Sequence, residues 1–426
     1  MAFGNYLGMR NGGSKTRAEA PQSVSGAPLR SVELFAGAGG LALGVAMAGF
    51  RHEAVVEWDR DACGSLLYNQ KLPGSLVRDW PIVNSDVRDF DYSRINADLD
   101  LLAAGVPCQP FSIGGKHRGP ADERNMFPEL VRAILALRPK AILLENVRGL
   151  TRPSFARYFG YIQLMVAYPE IGRRRGEEWS DHCARLERYH TKGKRAGLFY
   201  RVVFRTLNAA DYGVPQKRER VIVVAIRGDL GVEWSFPSAT HSQDALLWDQ
   251  YGTAEYWDRH AIAKRHRPTP SEEIAARLDR FRDVLPSLAP KPWRTVRDAI
   301  ASLDSPQKSR GSSEPGLTHF EIPGARAYTG HTGSKWDEPA KTLKAGDHGV
   351  PGGENMVAFA DGRVRYFTIR ESARLQTFPD NYIFPGSWTE SMRQIGNAVP
   401  VRLGEILATR VRTQLQAITR SPASHP

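Results

Sequence analysis

Cysteine is scarce in this 426-residue chain: Cys63, Cys108 and Cys183 are the only three. They form no Cys-x-x-Cys pair, and no histidine stands at a matching ligand spacing. That argues against a disulfide framework and a structural zinc site, so no metal is expected and a reducing cytoplasm is the expected location. Long apolar runs are lacking as well. None approaches the roughly 20 residues that cross a bilayer, so no membrane partner is expected. Residues 1–30 have no apolar centre of the kind a secretory signal needs, and their Gly, Ser, Ala and Arg content reads as a disordered tail.

An excess of acid is also missing. Lys and Arg number 58 against 46 Asp and Glu, a formal charge of +12. The surplus is local: Arg148 to Arg227 holds 17 basic and 7 acidic residues, whereas Gly231 to Val350 holds 16 of each. One basic segment suits a cleft wall that faces a polyanion, although a solvated insertion has the same composition. Hydrophobic content of 41% and charged content of 24% are those of a globular protein with room for one large core and a smaller one.

Short β-branched or Leu-rich runs at Ser31–Phe35, Glu53–Glu57, Leu99–Ala104, Ala141–Val147 and Val221–Ile226 read as buried strands. Helical spacing lies between them, at Gly40–Ala48 and Met126–Leu137. Strand and helix alternating in this way predict an α/β domain with a mostly parallel sheet over 31–230, with a basic insertion at about 151–199. The texture changes over 231–350, where scattered tryptophans and prolines predict a second, irregular domain. Residues 351–426 return to order and close with an amphipathic helix, Arg402–Ile418.

In open α/β sheets ligands bind beyond the carboxyl ends of the strands, and the polar motifs fall there. Phe35-Ala36-Gly37-Ala38-Gly39-Gly40 follows the first strand and opens a helix, whose free N–H groups and missing side chains admit a ligand closely. Glu57 ends the second strand, where a carboxylate accepts ribose hydroxyls. Trp58 is placed to stack on a purine and Asp86 to accept from an adenine amino group. Gly37, Gly39 and an acid some 20 residues later also fit a dinucleotide fingerprint, so a nicotinamide enzyme stays open on these residues alone.

Pro107-Cys108-Gln109-Pro110 then holds one thiol at a strand end on backbone that cannot relax into helix. An inert buried thiol is the bland alternative. Glu145 ends another buried strand at the same edge, and a carboxyl there is costly unless paired or protonated. Gln216-Lys217-Arg218-Glu219-Arg220 supplies permanent positive charge just before the last strand.

Taken in order, six stretches resemble the landmarks of the DNA (cytosine-5) methyltransferase family, in its bacterial type. They are Phe35–Gly40, Pro107–Pro110, Glu145-Asn146-Val147, Gln216–Arg220, Arg370-Glu371-Ser372-Ala373-Arg374-Leu375-Gln376-Thr377-Phe378-Pro379 and Gly396-Asn397-Ala398-Val399-Pro400. The resemblance runs from about Val32 to Arg410. It implies a Rossmann-like S-adenosylmethionine-dependent methyltransferase fold with a smaller, irregular target-recognition domain. It implies that Cys108 adds to cytosine C6, that Glu145 bonds N3 and the exocyclic amine, and that Arg220 contacts O2 with Arg218 beside it. S-adenosyl-L-methionine contacts are implied for Phe35, Gly37, Gly39, Glu57, Trp58, Asp86, Pro107 and Asn397.

Double-stranded DNA is the implied partner, with the cytosine flipped out of the stack. DNA contacts are expected from Ser112, Lys116 and Arg118 in the cationic loop Phe111–Arg124, and from Arg173, Arg174 and Arg175 in the basic insertion. Thr342 and Leu343 resemble a Thr-Leu element of the recognition region, and Gly346–Gly353 reads as a loop able to approach a groove. A monomer is expected, cytoplasmic and nucleoid-associated in a bacterium, within a restriction–modification system or as a solitary enzyme. A cognate endonuclease would act separately. A tRNA cytosine-5 methyltransferase and a catalytically silent DNA-binding homologue remain the alternatives.

Overall fold

The computed structural model describes residues 28–96, 98–107, 125–193, 195–282, 290–308, 319–329, 332–345 and 355–420. The tail, Cys108 with the loop to Arg124, and Gly346–Gly353 lie outside the described residues.

Seven strands form the central sheet: β1 (Leu29–Leu34), β2 (Phe50–Glu57), β3 (Ile82–Asn84), β4 (Leu101–Gly105), β5 (Ala141–Val147), β6 (Tyr200–Asn208) and β7 (Glu219–Arg227). Their spatial order is β3-β2-β1-β4-β5-β7-β6. All neighbouring pairs from β3 to β5 are parallel. β7 is antiparallel to both β5 and β6. The expected strands are all present and the sheet is mostly parallel. The reversal of β7 was not expected, and it matters most for the site: its first residues start where β5 ends, with Arg220 opposite Val147.

Side chains alternate across the sheet, and each strand therefore buries two faces. Leu34, Leu102, Ala104, Ile142 and Leu144 pack with α3 (Phe127–Leu137) and α4 (Ala156–Ala167). Ala103, Leu143, Ile222 and Val224 pack with α1 (Gly40–Met47) and the closing helix Val401–Arg420, while α2 (Arg60–Gln70) joins β2 to β3. The sequence explains α3 directly. Pro128 stands in its first turn, Phe127, Leu130, Ala133, Ile134 and Leu137 form one buried stripe, and the helix stops where Arg138 turns left-handed. The closing helix buries Leu403, Leu407, Val411 and Leu415 against the sheet, and truncating any one of these leucines to Ala costs about 2–5 kcal/mol.

The basic insertion is two helices, α4 and α5 (Trp179–Thr191), which lead into β6. Tyr158 near the start of α4 packs on Trp179, and Tyr168 just past its end packs on Tyr189. The helices thus run the same way, and the chain between them doubles back, carrying exposed Arg173, Arg174 and Arg175.

The 231–350 stretch has its own small cluster, in which Leu246, Tyr256, Trp257 and Trp293 surround Ala210. Its later part is not separate, however. Val296, Ala340 and Leu343 pack in one core with Ala38, Leu43, Phe367 and Phe378. Ser334–Lys335 also pairs with Met356–Ala358 across the boundary expected at 350. The two regions are therefore continuous in packing at that point.

Candidate active site

The strand ends of β1, β2 and β3 form one half of the site. Glu57 is 5% exposed, and its two carboxylate oxygens accept the backbone N–H groups of Gly37 (2.6 Å) and Asp59 (2.8 Å). Burial pushes its pKa up, and those backbone donors pull it back. The bonds fasten the glycine loop to β2 and leave lone pairs for a further donor. Phe35 and Gly37 both have positive φ, and a Cβ added at Gly37 would meet nothing within 4 Å, so open space lies over the loop. Trp58 stands beside it, 68% exposed, with no described group covering its ring.

Asp86 follows β3 at the same edge. Its carboxylate is held by the Arg88 guanidinium at 2.6 and 3.0 Å, which keeps its pKa low. Arg132 of α3 secures this turn by donating to the carbonyls of Val87 and Arg88 while its guanidinium lies over the Tyr92 ring. Asn397 ends the helix Trp388–Asn397 and is exposed. The following turn approaches the first loop very closely, since a Cβ on Gly40 would fall 2.4 Å from the Val399 carbonyl oxygen. Only glycine permits that contact. An open cradle over Gly37, a buried acid, an exposed indole and a second acid at the next strand end fit an adenosine-bearing cofactor.

The other half lies where β4, β5 and β7 meet. Arg220 Nε is 2.7 Å from Glu145 Oε1, with each side chain 11% exposed. The N–H does not point along that line, so the contact is an ion pair more than a hydrogen bond. The antiparallel register of β7 creates it. Asn146 donates to the Val106 carbonyl at 3.0 Å and so anchors the chain that enters Pro107 and Cys108. Cys108 itself, with Ser112, Lys116 and Arg118, lies outside the described residues. The other two thiols are poor nucleophiles: burial pushes Cys63 and Cys183 each up to about 11.

Three expected site residues are placed otherwise. Arg218 is not exposed to a substrate. It is fully buried and donates to the carbonyls of Leu343, Gly396 and Ala398 at 3.0, 2.6 and 3.0 Å. Leu343, expected to touch DNA, is 1% exposed within the shared core, and its N–H donates to Gln216 Oε1. Thr342 spends its hydroxyl on the Lys217 carbonyl at 2.7 Å. Both residues of the Thr-Leu element thus join the recognition stretch to the catalytic sheet, because their bonding and packing are satisfied inward.

Sequence reasoning missed Asn146, Gln376, Gly396 and Arg132. Gln376 is buried and links Gln216 to the Ile395 carbonyl (2.6 Å), which draws the late motifs onto β7. Asn146, Gln376 and Gly396 stand inside motifs already singled out, so their position was a signal that went unused. Arg132 carried none, since an arginine on a helix is usually solvated.

A glycine loop after β1, acids at the ends of β2 and β3, and a reversed seventh strand define a Rossmann-like methyltransferase fold. The sequence matches the C-5 cytosine-specific DNA methylase family over residues 29–165 and 180–413, and the chain belongs to that family: it is a DNA cytosine-5 methyltransferase. Arg173, Arg174 and Arg175 fall between the two matched stretches. Similar proteins include the Type II methyltransferase M.Eco47II of Escherichia coli, 32% identical over 91% of this chain and 80% of that one. Another is the Type II methyltransferase M.NgoMIV of Neisseria gonorrhoeae, 31% identical over 89% and 96%. Among solved structures, the S. pombe Dnmt2 methyltransferase superposes with a TM-score of 0.51 over 92% of this chain and 99% of that one; at 17% identity this bears on the fold alone. No helix among the described residues is long and apolar enough to cross a membrane.

Proposed function

We propose that this chain is the modification enzyme of a Type II system, and that it methylates C5 of a flipped-out cytosine in duplex DNA through a covalent Cys108–C6 adduct. The observation that carries the reading is the Glu145–Arg220 pair, set at the carboxyl end of β5 beside the exit of β4 that leads to Cys108. Cytosine C5 is too poor a nucleophile to attack a methyl donor unaided. When the Cys108 thiolate adds to C6, the C–S bond forms and the electron pair of the C5–C6 double bond becomes available at C5. Glu145 favours this by bonding N3 and the exocyclic amine, and Arg220 by bonding O2, so charge developing on the ring is met by fixed groups. After transfer, loss of the C5 proton returns an electron pair to the ring and expels the thiolate, which restores the double bond.

S-adenosyl-L-methionine supplies the electrophilic methyl group. Glu57 would hold its ribose, Trp58 and Asp86 its adenine, and Phe35, Gly37, Gly39, Pro107 and Asn397 the remainder of the pocket. Arg173, Arg174 and Arg175 are proposed to meet DNA phosphates. The named relatives are Type II methyltransferases, which supports a place within restriction–modification in a bacterial cytoplasm.

Bisulfite sequencing of DNA from cells expressing the chain tests this, beside a Cys108→Ala control. Protected cytosines in one short recurring context, absent from the control, are expected. No protection by a folded protein that binds S-adenosylmethionine would overturn DNA as substrate, and protection retained by Cys108→Ala would overturn the adduct.

A further inference from the structure

Arg218 is the largest fully buried side chain among the described residues. Taking a guanidinium out of water costs several kcal/mol, and an apolar side chain of similar size often serves stability as well. No described carboxylate lies within ion-pairing distance of it, and burial lowers its pKa. Its partners are three backbone carbonyls from two stretches 125 and 178–180 positions further along the chain. One of these is the turn on either side of Asn397, and the other is the recognition-side segment at Leu343.

Independent contacts close the same block. A Cβ on Gly396 would fall 2.3 Å from the Ala345 nitrogen and 2.5 Å from the Lys344 carbonyl carbon, so the two stretches touch backbone to backbone. Asn355, fully buried, accepts from the Lys344 N–H (3.0 Å) and donates to its carbonyl (2.9 Å). Gln216 and Gln376 complete the knot. Two residues beyond Arg218, Arg220 meets Glu145. Arg218 Nε finds no partner among the described groups, so this network fixes relative position at some cost in stability.

We propose that Arg218 is a positioning residue that couples the two substrate sites. It ties the turn presenting Asn397 to the cofactor onto the start of β7, which presents Arg220 to the cytosine beside Glu145 of β5. A ligand that fixes the block at one end then lowers the ordering cost at the other, and by linkage the effect is reciprocal. This rests on the cofactor and cytosine assignments proposed above.

The test is a titration of S-adenosylhomocysteine with and without saturating unmethylated phage duplex DNA. It compares the wild type with Arg218→Lys, which keeps a donor but loses the guanidinium fork, and Gly396→Ala, which leaves Arg218 intact but parts the two stretches. Wild-type protein is expected to bind S-adenosylhomocysteine more tightly with DNA present. The ratio of the two affinities should fall at least about fivefold in both variants. A ratio that is unchanged in both, even with each affinity weakened, would mean a purely structural role and overturn the coupling. So would a wild-type ratio of one. Failure of the wild type to bind S-adenosylhomocysteine at all would instead overturn the cofactor assignment, and the coupling with it.

Discussion

Replacing Glu145 by Gln, Arg220 by Met, and both together measures the pair on which the proposed chemistry depends. The nitrogen and oxygen are 2.7 Å apart, and each side chain is 11% exposed. At an effective dielectric of about 20, attraction across that gap is about 6 kcal/mol, and desolvation of the two ions offsets much of it. Removing one partner strands the other charge in the strand end, so each single variant should lose about 3–5 kcal/mol of stability. The double variant strands neither charge. Its loss should therefore fall short of the sum by about 2 kcal/mol or more, within the range seen for residues in one network. Urea unfolding of the four proteins, compared at equal slopes, gives the cycle. Single-turnover methylation of duplex DNA supplies the contrast: activity should be lost in both singles and not return in the double, because the contacts to cytosine N3 and O2 are gone. Additive losses, within about 0.5 kcal/mol, would refute a desolvated and interdependent pair.

Glu57→Ala should weaken S-adenosylmethionine binding at least tenfold by calorimetry, by about 1.4 kcal/mol or more, and unchanged affinity would remove the ribose assignment. Converting Arg173, Arg174 and Arg175 to Ala should weaken binding to all duplex sequences alike and flatten the salt dependence by up to about 0.9 per lost phosphate contact; an effect confined to one sequence would contradict phosphate binding. His52 is buried between the Ser31 hydroxyl and the Ala42 carbonyl, and burial lowers its pKa to about 4. The unfolded chain therefore takes up this proton near pH 6.5 while the folded one refuses it. Stability should fall as pH drops from 6.5 towards 4, by up to about 3 kcal/mol from this group, and His52→Asn should flatten that slope in urea titrations at pH 7 and 5.

What the sequence disclosed divides along physical lines. Buried strands and the stripe of α3 are legible because their spacing reports which faces lose water, and Glu57 is legible because it ends such a strand beside a glycine loop. Strand direction is not, since a buried strand has the same apolar pattern read either way. Hence Gln216–Arg220 reads as charge before a strand, yet the reversal of β7 that carries Arg220 to Glu145 appears only in the register. A glycine records that something comes close without saying what, so Gly40 and Gly396 became informative only with the Val399 oxygen and the Ala345 nitrogen in place.

The Thr-Leu element shows the opposite error, a motif taken for a reading surface when its leucine is core. Arg218 joins both lessons. Its charge suggested a substrate contact, but three carbonyl acceptors from distant stretches consume it. An arginine that bonds only to backbone holds main-chain positions, while the buried Leu343 and the close approach at Gly396 set which side chains fit there. The recognition stretch is thus held through the Leu343 carbonyl to the start of β7, the strand that places Arg220 against Glu145.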